Sequence, residues 1–388
     1  MNQVCSICSQ LLQLFPRLEF EAAVRKHQAE RHARGFECWT QLIAMLFCQL
    51  GQAHSLREIC GGLSATEGKL RHLGLDGAPR RSTLAYANAH RPWQLFQTVF
   101  QELLRRCHQA AHAEKKPFRF KNPLLIIDST VVQLALSMFD WALYQREKGA
   151  AKIHLVLEHQ GLLPHFAVIT EGKGSDLAVA RGLRFPAGTM LVFDRGYQDY
   201  RWFAKLTEQR VFFVTRLRCH AHIEVLADLP VADRSRIVRF QEVRLGSQKF
   251  RMAQKLRLIE SRDPVTGKTI ILITNHFRLA ATTLADVYRE RWQIEVFFRA
   301  LKQNLRLKSF VGTSQNAVQI QIWTALIAIL LLKYLQLRSR FPWSLSNLVA
   351  LLRQQLFVYR DLWTWIDAPF QPPPGLPPGP LQLNLQFT

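Results

Sequence analysis

A chain of 388 residues, 48% hydrophobic and 21% charged, carries enough apolar material for a large core and is neither disordered nor fibrous. Its 51 Lys and Arg against 29 Asp and Glu leave a net charge of +22, which points to a polyanionic partner, most simply nucleic acid. A generically basic, ribosome-associated protein is the plain alternative. The seven cysteines, at 5, 8, 38, 48, 60, 107 and 219, are too irregular for a disulfide framework and read as reduced thiols of a cytoplasmic protein. Cys5 and Cys8 form a CxxC, but no second pair follows at zinc-site spacing.

Residues 1–115 read as a helical domain. "CWTQLIAMLFCQL" (38–50) repeats apolar residues at helical spacing, and "SLREICGGL" pairs a Ser cap with Glu58 three residues on. "GAPRRSTLAYANAHRP" (77–92) is a basic turn followed by a short helix, which places Arg80 and Arg81 as candidate DNA contacts. A plain helical cap on the next domain would show the same pattern. The basic, Pro-containing "EKKPFRFKNP" (114–123) marks a boundary.

Short apolar runs follow. "PLLIIDST" (123–130) predicts a buried strand ending in Asp128, and "KIHLVLEHQGLLPHFAVIT" (152–170) a hairpin. "SDLAVARGL" predicts a capped helix, and "GTMLVFDRGY" (188–197) a strand ending in Asp194. "YRWFAKLTEQR" predicts a helix and "VFFVTRLR" (211–218) a strand. Mixed strands and helices of this kind indicate an α/β sheet of mixed direction. From 219 to 277 the pattern is that of strands alone, a β-rich insertion. Helical spacing resumes over 284–307, 319–337 and 345–358, and a Pro-rich tail closes the chain. The longest apolar stretch, "IWTALIAILLL" (322–332), is too short to span a bilayer and suits a buried helix. No basic-then-apolar leader opens the chain, so a cytoplasmic protein without a membrane segment is expected.

Asp128 and Asp194 stand at the carboxyl ends of strands, where side chains of open α/β sheets converge on a functional edge. A turn or cap is the ordinary role for such residues. On a helix running through 284–307, at about 100° per residue, Tyr288, Arg291, Glu295 and Lys302 share an arc of roughly 60°, with Arg299 and Arg306 on or beside it. Ile294, Phe297, Phe298, Leu301 and Leu305 make a separate apolar face, and Glu290 points away. One carboxylate is thus flanked by phosphate donors, as a site for metal and strand requires. Converging carboxylates call for a cation, and hard oxygen donors favour Mg²⁺ or Mn²⁺, with two ions suited to phosphodiester cleavage.

The spacing Y-x2-R-x3-E-x6-K at Tyr288, Arg291, Glu295 and Lys302 matches the Y-R-E-K motif of bacterial insertion-sequence transposases of the insertion-sequence-four type. "IIDST" and "VFDRGY" resemble the two aspartate motifs of that family, and the resemblance covers roughly residues 120–335. The 101 residues from Asp194 to Glu295 leave room for the family's β-strand insertion. The resemblance implies an RNase-H-like core in two parts, 120–218 and 278–337, around the insertion at 219–277. A helical DNA-end-binding domain at 1–115 and a C-terminal helix with tail at 338–388 would complete it. It implies Asp128, Asp194 and Glu295 as catalytic metal ligands, with Tyr288, Arg291 and Lys302 holding the strand end around a flipped base. Double-stranded DNA and a second copy in a synaptic complex are the implied partners. Family members that cut through a hairpin stack the flipped base on an aromatic of the insertion. No Trp lies between Trp202 and Trp292 here, which leaves Trp292 and Phe277 as candidates that also read as packing. The competing readings are an RNase-H-like repair or junction nuclease and a transposase-derived protein that binds DNA without cutting it.

Overall fold

The computed structural model describes residues 5–31, 33, 35–66, 68–111, 118, 120, 122–133, 150–218, 220–231, 235–246, 250–263, 267–305 and 310–371. Cys219, Arg306, most of the 114–123 connector and the tail from 372 onward lie outside these residues. Nine strands are present among them: β1 Leu124–Gln133, β2 Ala150–Glu158, β3 Leu163–Glu171, β4 Met190–Phe193, β5 Phe212–Arg216, β6 His222–Asp228, β7 Ile237–Gly246, β8 Leu256–Arg262 and β9 Thr269–Thr274. They form one sheet in the order β3-β2-β1-β4-β5-β9-β8-β7-β6. β1, β2 and β3 are an antiparallel meander, its second turn opened by Gly161 at φ 72°. β4 and β5 add in parallel, as strands joined through helices must. The strands of 219–277 continue the same sheet: β9 pairs antiparallel with β5, and β8, β7 and β6 follow. The class is α/β with a mixed sheet.

β1 departs from expectation by running five residues beyond Asp128. Thr130, Val131 and Val132 have the branched side chains that suit a pleated surface, and β2 supplies partners to the end, Gln133 opposite Ala150. Only the parallel neighbour β4 stops, at Phe193.

Helices cover both faces. One carries α7 Asp176–Gly182 and α8 Tyr200–Glu208, with Trp202 and Phe203 packed on Leu191, Phe193 and Phe213. The other carries α9 Ala281–Arg289 and α10 Trp292–Asn304. Leu284 and Val287 of α9 bury against Met190, Val192 and Val214, and Ile294, Phe297 and Leu301 of α10 against Ile126 and Ile153. Burying each such side chain stabilises by roughly 1.5–3 kcal/mol.

The helix expected over 284–307 is two helices. Arg291 N–H donates to Tyr288 O at 3.1 Å and Ile294 N–H to Arg291 O at 3.2 Å, three-residue spacings that tighten the turn between α9 and α10. Outside that turn, His159 of the β2–β3 connection donates to Glu290 at 2.8 Å and ties the joint to the sheet.

The opening helices are α1 Ile7–Leu12, α2 Arg17–Lys26, α3 Cys38–Leu50, α4 Leu56–Ser64, α5 Arg81–His90 and α6 Gln94–Ala111. The Ser55–Glu58 capping box of α4 is formed, with Glu58 N–H on Ser55 Oγ at 3.2 Å and His54 N–H on Glu58 Oε2 at 2.8 Å. α3, α5 and α6 pack around α11 Gln315–Arg338, as does α12 Leu345–Gln355. α13 Leu362–Asp367 adds Trp365 and Ile366 to the same core. α11 is apolar on every side, which only a fully surrounded helix tolerates. The apolar stretch at 322–332 is extended at both ends into a helix long enough to cross a membrane, but its most apolar window is 89% buried inside the fold. α1 to α6, α10 and the C-terminal helices therefore share one hydrophobic core, and that core holds α10 against β1.

Candidate active site

Strand pairing brings Asp128 and Asp194 together. β1 and β4 run in register from Leu124 opposite Met190 to Ile127 opposite Phe193, and the next residue on each is an aspartate. Side-chain alternation puts both on the face of α9 and α10, since Asp128 shares parity with Ile126 and Asp194 with Val192. Asp128 Oδ1 accepts from Ser129 N–H at 2.8 Å, and Asp194 Oδ1 from Gly196 N–H at 2.6 Å. A Cβ on Gly196 would lie 2.8 Å from Asp194 Oδ1, so any larger residue there would move that carboxylate. Thr215 on β5 donates to the Asp194 carbonyl at 3.2 Å. On the opposite face the buried Tyr197 hydroxyl hydrogen-bonds Ser129, linking the two aspartate segments.

Glu295 joins this pair through Arg291. The Arg291 guanidinium places Nη2 2.5 Å from Glu295 Oε1 and Nη1 3.7 Å from Asp128 Oδ2. It also lies 6.0 Å from the Tyr288 ring centre. Among the described residues, no three His, Cys, Asp or Glu side chains are drawn close enough to hold one metal ion together. The two aspartates are adjacent, and Glu295 reaches Asp128 by way of the guanidinium.

The charges are strained. Burial pushes the Asp128 carboxyl up to about 6, helped by Asp194 and Glu295 and opposed by the Ser129 N–H and Arg291. Burial works against the Arg291 charge, but the bond to Glu295 with the charges of Glu295 and Asp128 leaves its affinity for a proton raised. Burial also raises the Tyr288 phenol, against the pull of Arg291, and lowers the Lys302 ammonium.

The remaining predicted residues are more scattered. Lys302 is half-buried on α10, and Arg299 is exposed with its guanidinium 5.8 Å from the Trp292 ring. Arg80 and Arg81 are exposed at the start of α5, which packs on α4 and α11, and make no ion pair with the three acids. Glu290 points away as expected, toward a cavity of about 530 Å³ lined by His159, Lys333 and Trp343. Trp292 and Phe277 are 50% and 45% exposed, so neither is a packing residue. Trp292 stands with Val296 and Arg299 on the solvent side of α10, away from the apolar face.

Sequence reasoning missed a group of arginines. Arg216 ends β5 exposed, on the face of α9, where its charge acts on Tyr288. Arg218 Nε donates to Arg195 O at 3.2 Å, which places a second arginine over the loop after Asp194. The parity of "VFFVTRLR", with Arg216 two residues past the buried Val214, was the available signal.

Residues 119–331 match a family model described as a transposase DDE domain, and residues 4–76 one described as a domain of unknown function, DUF4372. A protein of Sinorhizobium fredii named as transposase y4zB is 30% identical over 328 residues, 82% of this chain and 88% of its own. A protein of Geobacillus stearothermophilus named as a transposase for insertion sequence element IS5377 is 31% identical over 265 residues, 67% of this chain and 69% of its own. One of Synechocystis sp., named for element IS4SA, is 27% identical over 248 residues, 61% of this chain and 67% of its own. Both aspartates, Glu295 and the Tyr288, Arg291 and Lys302 positions fall inside the DDE match. The DDE match spans more than half of the residues and the first relative most of them, and the chain belongs to the DDE transposases of insertion sequences.

Proposed function

We propose that this chain is a DNA transposase of the insertion-sequence-four type, which binds the terminal inverted repeats of its element and carries out metal-dependent strand cleavage and strand transfer. One observation carries the reading. Two aspartates follow the last paired residues of β1 and β4, on the face where Arg291 ties Glu295 to Asp128. The order β3-β2-β1-β4-β5, with helices on both faces, supports taking 120–218 and 278–337 as an RNase-H-like core around the strands of 219–277. The 1–115 helices would serve end binding, with Arg80 and Arg81 on phosphates, and 338–388 would form a C-terminal region.

The donor set fits divalent metal. Three carboxylates are hard oxygen ligands, and Asp128 is held as a costly anion that a cation would relieve. Two Mg²⁺ or Mn²⁺ ions held by Asp128, Asp194 and Glu295 would supply activation of the attacking oxygen and stabilisation of the leaving one. The protein's own part is positioning. Arg291 and Tyr288 stand beside the acids and, with Lys302, Arg299 and Arg216, would offer donors to the phosphates of the strand end. Gly196 and the Tyr197–Ser129 bond keep the aspartates in place. A second copy would hold the other end in the synaptic complex.

The test is cleavage of duplex DNA carrying the gene's own flanks, in Mg²⁺ or Mn²⁺, by the wild type and by Asp194→Ala. Cuts at a repeat boundary that need metal and vanish in the variant are expected. Binding without cutting in either metal would overturn the enzymatic reading and leave a DNA-binding protein.

A further inference from the structure

α5 lies between the two segments matched by family models, 4–76 and 119–331, and has an unusual surface. Leu84, Ala87 and Asn88 turn inward and are buried, while Arg80, Arg81, Ser82, Ala85, Tyr86 and His90 are exposed. Tyr86 is 67% exposed, which contributes nothing to a core, and its ring stacks on His90 at 4.0 Å with planes 21° apart. His90 Nδ1 lies 2.9 Å from the Tyr86 carbonyl, which fixes the imidazole beneath the phenol ring. No acidic residue occurs between Asp76 and Glu102, and among the described residues neither Arg80 nor Arg81 forms an ion pair.

The helix behind this surface is locked. Gln41 Nε2 donates to the buried Asn88 Oδ1 at 2.8 Å, and Arg91 Nη1 to Gln41 Oε1 at 3.1 Å. Asn316, in the first turn of α11, donates to the carbonyls of Asn88 at 2.9 Å and Arg91 at 2.7 Å, closing the end of α5. α3 and α11 thus hold α5 in one orientation, so that its outer face loses little freedom on binding.

A rigid, acid-free helix face with two arginines at one end, small Ala85 at its middle and an aromatic pair beyond is complementary to duplex DNA. The major groove is about 12 Å wide and admits one α-helix of about this length. Small residues let the backbone approach the groove floor, and hydroxyl and imidazole groups can reach base edges. We propose that α5 is a DNA-reading helix, with Arg80 and Arg81 on the flanking phosphates and Ser82, Tyr86 and His90 toward base edges in the major groove. The inference rests on the reading of the chain as acting on DNA ends, and deepens it by naming the element that sets sequence preference.

The experiment uses the full chain and duplexes selected from a random library, each compared with a scrambled duplex at several salt concentrations. Tyr86→Ala and His90→Ala should each lower the selected-to-scrambled affinity ratio by about tenfold with an unchanged melting midpoint. Arg81→Ala should weaken both duplexes together and reduce the salt slope by about one. Tyr86→Ala and His90→Ala variants that keep the full ratio would overturn the inference. So would variants that change only self-association, which would make the face a contact between copies. Boundary cleavage by the wild type that Asp194→Ala abolishes would leave the broader reading standing in either case, so the two failures are separable.

Discussion

Replacing Asp128 with asparagine should make the metal-free protein more stable while destroying its activity. The carboxyl is held at about 6 against an ordinary 3.8, first by burial and then by Asp194 and Glu295. At about 1.36 kcal/mol per tenfold in proton affinity, keeping it ionised inside the fold costs about 3 kcal/mol. The sign follows from the raised value. Below about pH 4 the group is protonated in both states and no stability is lost; between about pH 4 and 6 it ionises first in the unfolded chain, and the loss is complete above. Asparagine keeps the acceptor for Ser129 N–H and carries no charge, and the pull of Arg291, 3.7 Å from the carboxylate, is already contained in the value of about 6. The net gain at pH 7.5 is therefore about 3 kcal/mol. For 388 residues, an unfolding entropy of about 2.1 cal/mol/K per residue turns this into roughly 3–4 °C. Thermal and urea midpoints in EDTA at pH 4.5, 6 and 7.5 would show it. The advantage should be largest at pH 7.5 and about a third as large at pH 4.5, and Mn²⁺ should raise the midpoint of the wild type but not of the variant. An asparagine variant no more stable at pH 7.5, or equally favoured at pH 4.5, would refute the picture of a strained carboxylate cluster.

Glu295→Gln should abolish cleavage with DNA affinity held within about twofold, whereas Glu290→Gln, which can still accept from His159 across the joint, should cut nearly as the wild type does. The reverse ranking in a gel-based cleavage assay would put the wrong side of α10 at the site. Gly196→Ala drives a Cβ to 2.8 Å from Asp194 Oδ1 and should slow cleavage by about tenfold or more through displacement of that carboxylate. An unchanged single-turnover rate would show that the Gly196 bond does not position it. Lys302→Ala should weaken end binding and reduce the slope of log affinity against log salt by about one, as loss of one phosphate contact does. A slope equal to that of the wild type would remove Lys302 from the strand's path.

The acids were legible because each follows a short apolar run that only a buried strand explains, and strand pairing then makes Asp128 and Asp194 neighbours. The joint at Glu290 and Arg291 was not, because both residues keep right-handed helical torsions and differ from a helix only in hydrogen-bond spacing. A wheel drawn through that joint still grouped Arg291 with Glu295, since four residues along one turn meet in either geometry. The end of β1 was misjudged for a related reason: an acid in a strand reads as a terminus, yet Asp128 loses only its parallel neighbour while β2 continues beside it. Arg216 escaped notice because a lone arginine after a strand is ordinary until the fold turns α9 and Tyr288 toward it. Helices α3, α5 and α6 read as separate from the catalytic core because local periodicity records only that a face is apolar. Their partner, α11, lies more than 200 residues further along the chain.

The placing of one acid, Glu295, among bases on α10 is a matter of local charge. A chain with +22 overall has little reason to gather carboxylates at random, and adjacent aspartates on parallel strands repel one another. The fold sets this repulsion where burial strengthens it and then offsets it with a single guanidinium, half-buried beside Glu295 and Asp128. A guanidinium has five donors in a planar fork, so contact with two carboxylates does not exhaust it. Arg291 can therefore hold the acids on one side and a phosphate on the other, which a lysine at the same place, a compact point charge on a flexible stem, could not do with the same geometry. A surface ion pair would need none of this: neither the half-buried Asp128, nor the phenol of Tyr288 beside the guanidinium, nor the glycine that leaves space for Asp194. These three features share one arrangement of residues, which the proposed metal and phosphate site would explain and a surface ion pair would not.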